Sequence, residues 1–267
     1  MADSITATPP LPAANHQPIF KKLKSAWESS DYSDLKITCD GLEWNVHRVI
    51  VCPSSPFFAS CCKNFKEASS GVIDLPDDNK HVVDAMLTWM YMADYNDDDP
   101  ATNIPAPLFD VQVHTIGDKY GIPDLCQLAE AKFAVLAATE WESSGFALAV
   151  REMYKTAPDS KVALQECAVK NVVKHAKVLF KEKKSKFADI SRTVAPFAHQ
   201  VSTELMAKKQ QREGEIRYQC PGCSKTFVCE KFGTNSHNGG YYNGHYVKCL
   251  SCLDQFAISQ FKIIEED

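Results

Sequence analysis

A chain of 267 residues with 45% hydrophobic and 24% charged side chains has the composition of an ordinary folded protein and the length for about two domains. Its 34 acidic against 29 basic side chains leave a net charge of −5, so the cationic surplus that coats nucleic acid is absent. No apolar run reaches the ~20 residues of a membrane-spanning helix, and the first residues lack the basic start and apolar block of a secretory signal, which predicts an intracellular protein with no membrane partner. In a reducing compartment eleven cysteines read as buried thiols, reactive thiols or metal ligands, not as a disulfide framework.

Residues 1–18 hold Pro9, Pro10, Pro12 and Pro18 among Ala, Ser and Thr, a composition expected to stay disordered. Ile19, Phe20, Leu23 and Trp27 then recur at helical spacing and predict a short amphipathic helix. A hairpin follows: Leu35, Ile37 and Cys39 alternate with polar neighbours, Asp40-Gly41 supplies a tight turn, and Leu42, Trp44 and Val46 alternate back. The apolar stretch His47 to Phe65, broken by Pro53 and Pro56, suits two short helices joined by a turn. Val72 to Leu75 reads as a third strand. Val82, Val83, Met86, Leu87, Met90 and Tyr91 trace one buried helical face, and the acidic run Asp97-Asp98-Asp99 is a solvated loop. Phe109, Val113, Ile116 and Tyr120 mark another helix that Gly121 can end, and Pro123-Asp124 opens the next, with Leu125, Leu128 and Phe133. The fold class is α+β: a short three-stranded sheet flanked by helices over residues 19–137.

Residues 138–207 show only helical periodicity. The stripes are Phe146, Ala149, Val150 and Met153; then Val162 to Leu179 after an Asp159 cap; then Phe187 to Leu205, which Pro196 should kink. Nine basic and three acidic residues lie between Lys161 and Arg192. A solvated lysine face is the plainer reading of that excess, and an anionic partner is the other. A charged linker over 208–217 leads to a region, 218–267, rich in Cys, Gly, Tyr and Asn.

That last region carries the strongest chemical signal. Cys220-Pro-Gly-Cys223 and Cys249-Leu-Ser-Cys252 are two C-x-x-C pairs separated by 25 residues. Each pair can bring two thiolates to one cation through a tight turn, so two pairs complete a closed tetrahedral site, the donor set of one structural Zn²⁺. Mixed ligation through Cys229, His237 or His245 is the alternative. The other cysteines, Cys39, Cys52, Cys61, Cys62, Cys126 and Cys167, sit mostly at apolar positions as small hydrophobes, with vicinal Cys61-Cys62 a redox alternative. No nucleophile elbow, phosphate-binding loop, dinucleotide fingerprint or metalloprotease helix is present, so no enzyme is expected.

In its order of elements the first domain resembles the BTB/POZ domain, in the form found in many fungal proteins. The matching blocks are Ser33-Asp34-Leu35; His47-Arg48-Val49-Ile50-Val51 through Ser55-Pro56-Phe57-Phe58; Phe65-Lys66-Glu67; Leu75-Pro76-Asp77-Asp78; Tyr91 to Tyr95; and Gly117-Asp118-Lys119-Tyr120-Gly121-Ile122-Pro123. Met92-Ala93 stand where Thr-Gly is usual, and Gly117 stands where alanine is usual. The resemblance implies a protein-interaction domain, usually a homodimer, that often serves as a substrate adaptor for cullin-RING ubiquitin ligases. It further implies that Asp34 and Arg48 form a charged pocket at the dimer interface, and that Phe65 and Glu67 contact a cullin. Sixteen acidic and six basic residues over 31–125 agree with contact through shape and apolar surface. The C-terminal module looks like a small β zinc ribbon. With four Lys/Arg against five Asp/Glu from Tyr218 to Asp267, it is expected to contact an unknown client protein in preference to nucleic acid. A transcriptional regulator placing that module on DNA is the alternative.

Overall fold

The structure, a computed structural model, describes residues 17–64, 67–155, 161–181, 186–230, 242–243, 246–248, 251–252, 255–257, 260 and 262–263. The disorder expected for residues 1–18 lies outside these up to residue 16, whereas Gln17 and Pro18 open α1, Gln17–Ser29. The hairpin β1, Leu35–Cys39, and β2, Leu42–Val46, forms as its alternation predicts. Leu35 pairs with Val46 and Cys39 with Leu42, and the turn sets Asp40 at φ 44° and Gly41 at φ 77°, the left-handed pair that continues the natural strand twist. One face of β1, made by Leu35, Ile37 and Cys39, is buried.

Next come α2, Arg48–Ser54, α3, Pro56–Asn64, a short α4, Glu67–Ser70, and β3, Val72–Asp74. Strand β3 lies parallel to β1, giving a sheet of order β2-β1-β3. Helix α5, Lys80–Met92, is capped by the Asn79 side chain and covers the sheet with Val82, Val83, Met86 and Leu87. Helices α6, Ala106–Lys119, and α7, Pro123–Thr139, complete the domain. Gly121 between them stands at φ 69° with Pro56 Cδ 3.3 Å from where a Cβ would be, so only glycine fits this reversal.

Polar ties across long sequence separations hold these elements in register. His47 Nε2 lies 2.7 Å from the Asp31 carbonyl, and its Nδ1 lies 2.8 Å from the Tyr91 hydroxyl. A carbonyl only accepts, so Nε2 carries the proton and Nδ1 accepts from Tyr91. The Ser55 hydroxyl donates to the Tyr120 carbonyl at 2.6 Å, and the Tyr120 hydroxyl donates to Asp78, whose carboxylate also takes the Lys119 ammonium at 2.8 Å. The histidine, serine and tyrosine blocks therefore act as internal braces.

Helices α8, Ser144–Met153, α9, Val162–Lys174, α10, Ala176–Leu179, α11, Lys186–Thr193, and α12, Ala195–Gly214, follow. Three sequence expectations change here. The stripe Phe187 to Leu205 is two helices, because Pro196 lacks an N–H and its ring blocks the preceding turn, so it opens α12 instead of kinking one long helix. The single helix expected from Val162 to Leu179 is interrupted at His175. The stretch 208–217 read as a linker continues α12 to Gly214 and then enters β4, Glu215–Gln219, since Lys208, Lys209, Gln210, Gln211, Arg212 and Glu213 are all good helix formers. The Asp159 cap lies outside the described residues; among those described, Lys161 precedes α9.

The chain divides into two compact units, Met1–Phe197 and Ala198–Asp267. Helix α8 packs against the start of α6 so closely that a Cβ on Gly145 would stand 2.6 Å from Pro105 Cβ, which groups the helical extension with the first domain. The second unit contains β4, β5, Thr226–Glu230, β6, Tyr242–Asn243, β7, Tyr246–Lys248, β8, Gln255–Ala257, and β9, Lys262–Ile263, in sheets of order β5-β4-β9 and β6-β7-β8. No helix among the described residues is long and apolar enough to cross a membrane.

Candidate metal-holding and interaction sites

The two C-x-x-C pairs occupy equivalent places in the chain. Gln219 pairs with Thr226 at the end of the antiparallel β4/β5 ladder, so residues 220–225 form its connection. Lys248 pairs with Gln255 at the end of β7/β8, so residues 249–254 form the second. Each six-residue connection begins with one cysteine and has the other at its fourth position.

The first connection has the geometry of a metal knuckle. The Ser224 N–H donates to the Cys220 carbonyl at 3.0 Å, the Cys220 N–H donates to the Lys225 carbonyl at 3.0 Å, and Ser224 takes a left-handed φ of 58°. This turn aims the Gly222 N–H at the Cys220 sulfur, 3.4 Å away. Cys220, Cys223 and Cys252 place their sulfurs within 4.8 Å of one another. Two sulfurs each ~2.3 Å from a tetrahedral zinc are about 3.8 Å apart, and Cys220 Sγ and Cys252 Sγ stand 3.8 Å apart. The three thiols thus have the spacing of metal ligands. Cys249, the fourth expected ligand, and the alternatives His237 and His245 lie outside the described residues. Cys229 lies in β5, opposite Ile216, as a strand position.

Burial holds Cys39, Cys52, Cys61, Cys126 and Cys167 as thiols. Burial pushes Cys52 up to about 11, helped by its hydrogen bond with Cys62, and burial likewise raises Cys61, with Glu67 adding to the effect. Burial also pushes Cys126 up to about 11 and raises Cys39 and Cys167. A thiol kept protonated is a poor nucleophile, so Cys61, the first of the vicinal pair, lacks the electropositive surroundings of a reactive thiol.

Asp34 and Arg48 are neighbours, but through the backbone. The exposed Asp34 carboxylate accepts from the Arg48 N–H at 2.8 Å, filling the cap that His47, at the N-cap of α2, leaves without a side-chain acceptor. No ion pair between the two side chains forms within 4.0 Å, and the buried Nε of Arg48 has no hydrogen-bond partner. Around them Val49 and Tyr32 are 76% and 95% exposed, so an apolar, partly charged patch surrounds the start of α2. Phe65 lies outside the described residues; Glu67, at the start of α4, is half-buried.

Two further groups escape a reading by pattern. Asp110 and His114, one turn apart on α6, are 0% and 2% exposed among apolar neighbours. The Tyr95 hydroxyl donates to Asp110 at 2.7 Å, and His114 Nε2 lies 3.1 Å from Glu130. Burial pushes Asp110 up to about 7, against the Tyr95 hydrogen bond, and Asp97 adds to the rise. Their i, i+4 spacing on a helix with an apolar stripe was the available signal. The second group is a shallow cleft lined by Arg151, Tyr154, Lys155, Asp189 and Val194, where Arg151 already pairs with Asp189 at 2.8 Å.

Residues 23–135 match the family model of the BTB/POZ domain. This stretch is accordingly a BTB/POZ domain, with a small three-stranded sheet among helices. Among solved structures, the BTB (Tramtrack and Bric a brac) domain of human gigaxonin is similar, with 17% identity over 47% of this chain and 96% of that one and a TM-score of 0.36. A search of the curated proteins finds no match.

Proposed function

We propose that the chain is an adaptor or scaffold for protein assembly, homodimerising through its BTB/POZ domain and presenting a client-binding module held by one structural zinc ion. The observation that carries this reading is the BTB/POZ domain at residues 23–135, a domain type that serves protein-protein contact. Exposed Val49 and Tyr32 near the start of α2 support a dimer surface there, because a second copy would cover these apolar side chains. For the module, Cys220, Cys223 and Cys252, completed by Cys249, would hold zinc, whose binding would contribute folding energy to the module. No catalytic role is assigned to any residue.

The adaptor reading extends to a cullin, with Phe65 as the anchor ring and Glu67 as the orienting charge. Light scattering of the full chain should give a dimer, and Asp34→Asn with Arg48→Gln should give monomers; a wild-type monomer overturns the dimer. Affinity purification should recover a cullin that Phe65→Ala loses at unchanged melting temperature. Absence of any cullin from wild-type complexes leaves a scaffold without ligase function. The balance of four basic and five acidic residues from Tyr218 onward argues against the DNA-binding alternative, which steeply salt-dependent duplex binding would restore.

A further inference from the structure

The first domain neutralises many of its lysines locally. Lys36 pairs with Glu43, Lys80 with Asp40, Lys119 with Asp78, and Lys132 with Asp94 and Asp97. Helices α9 and α10 depart from this habit. Lys170, Lys174, Lys177 and Lys181 are all exposed, and at 100° per residue their i, i+4, i+7, i+11 spacing confines them to about 60° of a helical circumference over about 16 Å. At His175 the ladder of α9 closes and that of α10 opens: the His175 N–H bonds the Asn171 carbonyl, its own carbonyl takes the N–H groups of Val178 and Leu179, and the Phe180 N–H bonds Ala176. Lys181 follows the end of α10 with its N–H on the Val178 carbonyl, so the 60° spacing holds to the extent that α10 continues the turn of α9. Lys170 has Glu166 at 3.5 Å, while no carboxylate among the described residues pairs with Lys174, Lys177 or Lys181. Val178, 56% exposed, borders the row.

Like charges at i, i+3 and i, i+4 weaken a helix. The negative ends of α9 and α10 offset this for Lys174 and Lys177, each in the last turn of its helix, but the effect fades beyond the helix end and does not account for Lys181. We infer that this lysine row is a docking surface for a short acidic segment of a partner protein. Charge complementarity identifies the occupant: three neighbouring exposed ammonium groups with no carboxylate partner among the described residues match carboxylates spaced along an extended peptide, and Val178 offers an apolar contact beside them. The acidic loop of a second copy is a poor occupant, because Asp94 and Asp97 are engaged by Lys132 and Asp99 caps the turn that follows it. Nucleic acid fits less well than a peptide. A row of about 16 Å neutralises few phosphates, and a duplex long enough to gain affinity would extend beyond it along a chain of net charge −5.

The test is fluorescence anisotropy of the full chain with a labelled octaglutamate peptide, set against a 12-base-pair DNA duplex. Wild type should bind the peptide at low salt. Affinity should fall at least tenfold in Lys174→Gln/Lys177→Gln/Lys181→Gln, persist in the corresponding triple arginine variant, and be unchanged in Lys21→Gln/Lys22→Gln. Helical circular dichroism should be the same in every variant, since all these side chains are exposed. Peptide binding that is absent in wild type, or that survives the triple glutamine change, overturns the proposal. Tighter binding of the duplex through the same three lysines reassigns the row to nucleic acid and overturns it equally.

Discussion

The BTB/POZ domain and the C-terminal cysteine module represent two ways of stabilising a fold. In the first, buried aliphatic and aromatic side chains from β1, β3, α3, α5, α6 and α7 form one contiguous core, and braces such as His47 to Tyr91 and Ser55 to Tyr120 add specificity. In the second, Tyr218 and Cys220 are buried beside strands of only two to five residues, and the shared feature of the two knuckles is a place for sulfur. Apolar burial of ~25 cal/mol per Å² sustains a domain only when there is enough area to bury. Where there is not, a metal supplies the difference. Mutation and metal removal should therefore act on the two regions independently.

Metal removal should have the largest effect. Chelation, or Cys220→Ser or Cys252→Ser, is expected to unfold the module while leaving the first domain's thermal transition in place, and purified protein should contain one zinc per chain by elemental analysis. Loss of both transitions together, or protein purified without chelator and free of zinc, would end the comparison.

Next in size is a pH effect confined to the BTB/POZ domain. Burial holds Asp110 up to about 7, from an ordinary value of 3.8, so the folded state binds this proton more tightly than the unfolded chain does. Its contribution is complete below the ordinary value, is lost as pH rises toward about 7, and stays lost above that. Asp110→Asn should remove this dependence, with the variant gaining on wild type between pH 5 and 8 by on the order of 3 kcal/mol. Denaturant melts across that range should show a widening gap; parallel curves would mean that Asp110 is solvated. Gly145→Ala should cost ~1–3 kcal/mol by overpacking, because the added methyl would meet the rigid Pro105 ring 2.6 Å away. The ~1 kcal/mol by which alanine improves a helix over glycine offsets only part of this. A variant more stable than wild type would show that α8 can move away from α6.

How far the sequence could be read follows the same division. Local rules placed the hairpin, because Asp40-Gly41 and the alternation of β1 lie within a dozen residues, and they placed the first C-x-x-C pair in a tight turn. At Pro196 the missing N–H and the ring separate α11 from α12, a break stronger than the kink a single proline predicts, and over 208–213 helix propensity outweighs the charge that makes a segment look like a linker. What local pattern cannot carry is contact at long range. The backbone bond from Arg48 to Asp34 and the approach of Gly145 to Pro105 depend on how finished helices pack. So does the burial of Asp110 and His114, whose polar character outweighs the local signal of their i, i+4 spacing beside the apolar stripe of α6.

The smallest effect is the one that separates bracing from assembly at Asp34. Its carboxylate holds the Arg48 N–H at 2.8 Å, the only side-chain acceptor shown for the first turn of α2. Asp34→Ala should therefore cost about 1 kcal/mol of first-domain stability, the usual loss when a helix-start acceptor is removed, and leave the C-terminal cysteine module unaffected. Asn keeps the acceptor oxygen and removes the charge. If Asp34 only braces the monomer, Asp34→Asn melts like wild type and remains a dimer by light scattering. If its charge also meets Arg48 of a second copy, the same variant keeps its monomer fold but loses dimer, because the guanidinium is left half-buried without a counterion. A dimer that Asn and Ala both leave intact would confine Asp34 to the cap and move the dimer contact to the apolar surface of Val49 and Tyr32.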